Sequence, residues 1–309
     1  MSEMGGWVPG VSMNVAGEVR FEDLSMGHGG GYYGCSGPIL SVTASKVWMR
    51  NVMASAMDRF PDAACWDSDR WTGTTCLAIT ANTLVMENCS VRAGSAAQYS
   101  SHLTGCYSCS YGLYVHPAIW GGAALIANTN LTVLTRCSFS DGNGSGAALP
   151  DPNGSCPSSA PAGPPGASSF TGAGGTLVAH ASQHESGIAG GAGGSRGGFF
   201  PIGSPLAPLT TGGNASPGGT LAIQIGQVPN NLALLLLTVG WDANPTPIGT
   251  LPVSIAATLW STAVTTPWST NIAVPNLPSL RYLPIASQVY WFDPDIQIGN
   301  ASGTWIDRR

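Results

Sequence analysis

The chain has 309 residues, a net charge of −5 and only 9% charged residues, against a usual share of about 25%. Its length supports one large or two moderate domains around a well-buried core. Eleven basic residues without a basic run exclude a nucleic-acid binder, whose affinity rests on neutralising phosphates.

The 42 Gly and 23 Pro, with no run of helix formers, point to an all-β chain with many turns. Met1–Gly10 has neither a basic start nor an apolar core, so it is no signal peptide. The chain is expected to be a mature or truncated form of an exported protein.

Four stretches then overlay residue for residue: Val19–Met26 (VRFEDLSM), Val47–Ala54 (VWMRNVMA), Leu84–Val91 (LVMENCSV) and Thr132–Phe139 (TVLTRCSF). A weaker fifth copy is Leu177–His184 (LVAHASQH). Each reads as two short period-two strands joined by a polar corner, which is how the coils of a parallel β-helix are written. Each is approached by a matching segment ending in Gly17, Ser45, Asn82 or Asn130, residue types that bend or bond the backbone.

Stacking the copies in register puts Phe21, Met49, Met86 and Leu134 in one apolar column. It also puts Asp23, Asn51, Asn88 and Arg136, flanked by Glu22, Arg50 and Glu87, in a polar corner stripe. That stripe reads as a ladder of alternating polar groups that solvates the coil, or as the floor of a polymer-binding groove. Cys89 and Cys137 share the position of Leu24 and Val52 and are expected to be stacked core thiols or disulfide partners.

Loops leave the column between copies. Asp58–Thr75 carries the densest polar cluster, with Asp58, Arg59, Asp62, Trp66, Asp67, Asp69, Arg70 and Trp71. Its leading reading is a solvated loop pinned by a Cys65–Cys76 bridge. Its functional readings are sugar stacking on Trp66 and Trp71, Ca²⁺ held by Asp67 and Asp69, and acid–base cleavage of a glycosidic bond by Asp62, Asp67 and Asp69 with Arg70.

Ala96–Trp120 holds His102, His116 and the rings Tyr99, Tyr107, Tyr111, Tyr114 and Trp120, with Cys106 and Cys109 as a lone CxxC. A local disulfide fits that spacing better than zinc, which needs a second pair. Tyr107, Tyr111 and Trp120 are the candidate carbohydrate platform. His180, His184 and Glu185 offer metal-ligand types, but residues four apart on a strand lie about 13 Å apart. Gly193–Gly197 matches GxSxG without the strand and helix that a nucleophile elbow requires. Sequons begin at Asn88, Asn130, Asn143, Asn153, Asn214 and Asn300.

Beyond residue 200 the pattern changes. A Gly/Pro-rich linker is expected over 201–219. Over 220–309 follow short apolar strands separated by Pro turns: LAIQIG, LALLLLTVG, LPVSIAATLW, TNIAVP and SQVYWFDP. These predict a small antiparallel β-sandwich. The longest apolar run, Leu232–Val239, is too short to cross a bilayer.

The stacked coils with Gly-rich loops resemble the pectate-lyase-like, right-handed parallel β-helix proteins. The arrangement of coils, loops and a C-terminal sandwich with Pro275-Asn-Leu-Pro278 and Asp293-Pro294 turns is similar to large secreted bacterial surface proteins. The resemblance implies about five coils over residues 1–200 and a sandwich over 220–309. Lyases of that group use Lys, Arg and Ca²⁺-binding acids on the coils, and its hydrolases use clustered Asp. Neither set aligns with this chain. The expectation is an exported, non-enzymatic structural or adhesive protein of the cell surface or extracellular space, contacting polysaccharide or glycan and assembling as a homo-oligomer or filament, with no cofactor unless Ca²⁺. The competing expectation is a polysaccharide lyase or glycoside hydrolase acting through the Asp58–Asp69 loop.

Overall fold

A computed structural model of the chain describes residues 10–27, 37–56, 58, 73–96, 106–109, 112–115, 120–145, 164–189, 199–203, 208–247 and 249–306. The protein is all-β, with parallel and antiparallel sheets; the described residues are 60% strand and contain no α-helix. In chain order the first strands are β1 (Val11–Asn14), β2 (Glu18–Glu22), β3 (Ser25–Gly27), β4 (Leu40–Arg50), β5 (Met53–Ser55), β6 (Leu77–Glu87) and β7 (Ser90–Arg92). They are followed by β8 (Cys106–Cys109), β9 (Gly112–Val115), β10 (Leu125–Thr135), β11 (Ser138–Ser140), β12 (Thr176–His180), β13 (Ser182–Glu185) and β14 (Phe200–Ile202).

Two parallel sheets follow from the repeats. In the first, β1 and β2 lie on β4, followed by β6, β10 and β12. In the second, β3, β5, β7, β11 and β13 run parallel, and β14 closes the far end antiparallel to β13. The register is that of the sequence overlay: Phe21 pairs with Met49, Met49 with Met86, Met86 with Leu134, and Leu134 with Ala179. Met49, Met86 and Leu134 are fully buried in one core with Val52, Cys89, Val91, Cys137 and Phe139. Cys89 and Cys137 are free thiols in that core.

A corner joins each long strand to its short successor, and its first residue has positive φ: Asp23 (50°), Asn51 (52°), Asn88 (52°), Arg136 (53°) and Ala181 (49°). Asn and Asp tolerate this left-handed region because their short polar side chains bond locally. Arg136 and Ala181 adopt it because the stack imposes it. The long strands also bend within themselves. In β6, Ile79 and Ala81 face the core, and then Leu84 and Met86 do, so the period-two alternation slips by one across Asn82.

A third set of segments is extended without being strand. Gly94 donates to the Thr74 carbonyl, Gly122 to Gly94, Gly142 to Gly122 and Gly166 to Gly142. These backbones run so close that a Cβ on Gly142 would stand 1.9 Å from the Gly94 oxygen, and one on Gly122 would stand 2.2 Å from the Thr74 oxygen. The sequence reading placed Gly142 and Gly166 in a Gly/Pro/Ser-rich loop over Asp141–Gly174. They lie instead in ordered layers. The β8–β9 hairpin falls in the chain between Gly94 and Gly122.

The remaining strands are β15 (Leu209–Asn214), β16 (Thr220–Ile225), β17 (Leu232–Val239), β18 (Trp241–Thr246), β19 (Gly249–Val253), β20 (Thr258–Thr265), β21 (Trp268–Ala273), β22 (Pro284–Phe292) and β23 (Ile296–Trp305). They form antiparallel sheets ordered β15-β16-β21, β20-β17-β22-β23 and β18-β19. Leu209, Leu221 and Ile223 of the first pack with Leu235, Leu237 and Val289 of the second. The expected linker over 201–219 is therefore in part a strand: Gly and Pro masked β15, whose Leu209 and Thr211 are buried.

The antiparallel part covers the outer face of the first parallel sheet. Trp48, Val85, Leu131 and Val133 share a core with Trp241, Val253, Ala286, Ala301 and Trp305. Trp48 meets Trp241 edge-on at 5.7 Å and Trp305 at 4.7 Å, a favoured aromatic geometry. Arg20 lies 4.8 Å over the Trp305 ring and donates to the Tyr282 carbonyl at 2.6 Å.

Candidate functional site

The corner stripe is a continuous hydrogen-bonded ladder. Asn51 donates to Asp23 at 2.8 Å, Asn88 to Asn51 at 3.2 Å, and Arg136 Nε to Asn88 at 2.8 Å. The stacked turns hold successive side chains one strand spacing apart, so each amide carbonyl meets the next donor.

Beside the ladder runs a second row, one residue earlier in each copy: Glu22, Arg50, Glu87, Thr135 and His180. Arg50 lies 3.8 Å from Glu22 and donates to Thr304 Oγ1 at 3.1 Å. Glu87 accepts from Arg136 Nη2 at 2.7 Å and from Ser302 Oγ at 3.1 Å. Thr135 donates to the Ala301 carbonyl. Strand β23 therefore seals the middle of the row. Glu87 is only 3% exposed. Burial pushes its carboxyl above its ordinary range, against the pull of Arg136, Arg50 and the Ser302 hydroxyl.

The ladder itself stays exposed at Asp23, Asn51 and Asn88, and its first end borders a cleft. There Glu22, Asp23, Arg50 and Asn51 face Gly213–Ser216, the start of the β15–β16 turn, together with Thr304 and Trp305, across a polar cleft of about 270 Å³. The carboxylates of Glu22 and Asp23, the amides of Asn51 and Asn214, the hydroxyls of Ser216 and Thr304 and the Arg50 guanidinium converge there, beside Ala215 and Trp305. That set of paired donors and acceptors matches a ligand rich in hydroxyl groups. The described residues contain no group of three His, Cys, Asp or Glu placed to hold a metal ion.

A second polar cluster lies at the far end of the stack. The Asp141 carboxylate accepts from Ala124 N (2.7 Å), Ser168 N (3.1 Å), Ser168 Oγ (2.5 Å) and His184 Nε2 (2.9 Å). Burial pushes the Asp141 carboxyl up, but the bonds from His184, Ala124 and Ser168 outweigh it and hold it below its ordinary value. All its partners bond to one carboxylate, and Ser168 bonds to the Asp rather than to the His. The arrangement pins three segments together and does not form a nucleophile–base pair.

Asp62, Asp67, Asp69, Arg70, Trp66, Trp71, Cys65 and Tyr111, together with the GxSxG stretch, lie outside the described residues. Cys106, Tyr107 and Cys109 stand on β8, whose side chains also lie outside them. Trp120 is 62% exposed just before the glycine layers. Cys76, expected to pin the acidic loop, is a free, fully buried thiol. It opens a core strand, and burial raises its pKa to about 12. Asp58 does the tethering instead, accepting from Arg92 at 3.1 Å and from Ser95 N at 2.8 Å.

His180 and His184 do not converge. The corner at Ala181 sends His180 into the second row, buried, and His184 to Asp141. Asn300 is fully buried and exchanges hydrogen bonds with the Leu209 backbone, so its sequon serves packing. The cleft itself was not foreseen. Its stack wall was visible as the stripe, but its other wall comes from a Gly/Asn/Ser turn about 190 residues later, a turn signal and nothing more. Comparison with protein-family models, curated proteins and solved structures returned no match, so the chemistry of the cleft carries the functional reading.

Proposed function

We propose that the chain is an exported, non-enzymatic protein of the cell surface or extracellular space, structural or adhesive in role, that contacts glycans through the cleft at the first end of its corner ladder. In this reading the parallel sheets are the coils of a right-handed parallel β-helix and the antiparallel sheets a β-sandwich docked on its side. The matched register and the repeated left-handed corners support that architecture.

The single observation that carries the reading is the character of the cleft. It is open and polar, and its groups are held by the scaffold: Asp23 by Asn51, and Arg50 by Thr304 and Glu22. Fixed polar groups bind sugar hydroxyls at small entropic cost. A glycosidase acid needs a raised pKa and access to its substrate. Glu87 has the first, but Ser302 and Arg136 close it off.

The test is isothermal titration against a panel of neutral and acidic polysaccharides, with reducing ends and unsaturated products assayed in parallel. Binding to at least one polymer without cleavage, weakened tenfold or more by Asp23→Ala and by Asn214→Ala, is the expected outcome. Cleavage products, or binding indifferent to both substitutions, would replace this reading, the first with a polysaccharide-cleaving enzyme.

A further inference from the structure

We infer that strand β20 is a self-association edge, pairing antiparallel with β20 of a second copy across a two-fold axis. The inference goes beyond the glycan-contacting reading and rests on a different surface. In the sheet ordered β20-β17-β22-β23, the cleft lies beside β23 and β20 is the opposite edge, with no strand beyond it among the described residues.

Open edges of natural sheets are blunted by Lys, Pro or inward charges, because their unpaired backbone groups recruit other strands. β20, Thr258–Thr265 (TLWSTAVT), has no charge and no Pro. The neutrality extends far beyond the strand: between Arg196 and Arg281 the only charged residue is Asp242. Two copies therefore meet at this edge without like-charge repulsion, whereas a charged partner finds nothing to pair with. The one irregularity in its pairing with β17 falls at Leu259 and leaves Trp260–Thr265 regular. Leu259 is 57% exposed and Trp260 38%.

The side-chain pattern is also self-complementary. Trp260, Thr262 and Val264 share the face of Leu237, Leu235 and Ala233; Ser261 and Ala263 share that of Leu236 and Leu234. Antiparallel pairing centred on Thr262 keeps each face continuous. It sets Trp260 of one copy opposite Val264 of the other, an aromatic–β-branched pair that stabilises sheets, and Ser261 opposite Ala263. The exposed Leu232 and Leu234 then extend into one apolar strip across both copies. The contact is isologous, so it closes as a dimer.

Sedimentation equilibrium over about 1–100 μM, the range in which small interfaces associate, is expected to show reversible conversion from 31.5 kDa to twice that mass. Ser261→Lys with Ala263→Lys sets lysines opposite lysines at exposed positions. It should weaken dimerisation at least tenfold with the circular dichroism unchanged, and Ser261→Glu with Ala263→Glu should do the same. Mixing the lysine and glutamate variants should restore a mixed dimer. A monomer throughout the concentration range, a dimer unaffected by the lysines, or a mixture that stays monomeric would each overturn the inference.

Discussion

Five copies of one corner place four residue types, Asp, Asn, Arg and Ala, at nearly the same left-handed φ, and the mismatch at Ala181 gives a stability test. Ala181 is exposed with φ 49°, a conformation that costs a non-glycine residue about 1–2 kcal/mol unless its side chain bonds locally. Ala181→Asn supplies that side chain and sets an amide next to Arg136 at the end of the ladder. A gain of about 1 kcal/mol, read as a rise of about 2 °C in melting temperature, is expected. Ala181→Val should lose at least as much.

His180, one residue away, sets a pH dependence. It is buried with neither ring nitrogen bonded, and burial lowers its pKa to about 4. As pH falls, the unfolded chain takes up this proton first, near 6.5. Its contribution is therefore full above about 6.5 and is lost towards 4, about 3 kcal/mol in all. Glu87, in the same row, has a raised pKa and opposite sign: the folded state holds its proton longer, so acidification favours folding there. Denaturant titrations from pH 7 to 4 should show a shallower fall for His180→Leu than for the parent chain. An unchanged slope would remove His180 as the cause. The ladder could be read from spacing alone, because its members repeat. The burial of His180 could not, because β19, which packs against its strand β12, arrives 69 residues later.

At the scale of elements, a strand announces itself by alternation, and the long strands and their register were legible because apolar residues recur at matched positions. The glycine layers carry no such signal. Their residues were selected for having no side chain, and glycine reads as loop wherever a close approach cannot be seen. Gly142→Ala would push a methyl into the Gly94 carbonyl and should cost about 3 kcal/mol, as overpacking of a rigid site does. Gly17 has nothing within 4 Å of its Cβ position, so Gly17→Ala should be neutral or gain about 0.5 kcal/mol by stiffening the unfolded chain. Guanidinium midpoints of the two variants test this. Equal effects would mean that the layers yield, and that their spacing does not explain the glycines.

For the whole molecule, the informative question is whether the parallel and antiparallel parts are one folding unit. The sequence divides at about residue 200, and composition gives no hint that the halves touch. The seam answers from side chains: Trp48 sits between Trp241 and Trp305, Arg20 stacks on Trp305, and Thr304 and Ser302 bond to Arg50 and Glu87. Truncating a buried Trp costs about 3–5 kcal/mol. Here that loss falls on the coupling between the halves, because Trp48 points away from the core of its own sheets. The parent chain should unfold in one transition by both tryptophan fluorescence and far-ultraviolet circular dichroism. Trp48→Ala should separate those transitions. Because Thr304 and Trp305 form one wall of the cleft, the same substitution should also weaken glycan binding, although Trp48 does not line the cleft. A variant that still melts in one step and binds as the parent does would place the coupling elsewhere on the seam, with the hydrogen bonds of Arg50 and Glu87 to β23 as the remaining link.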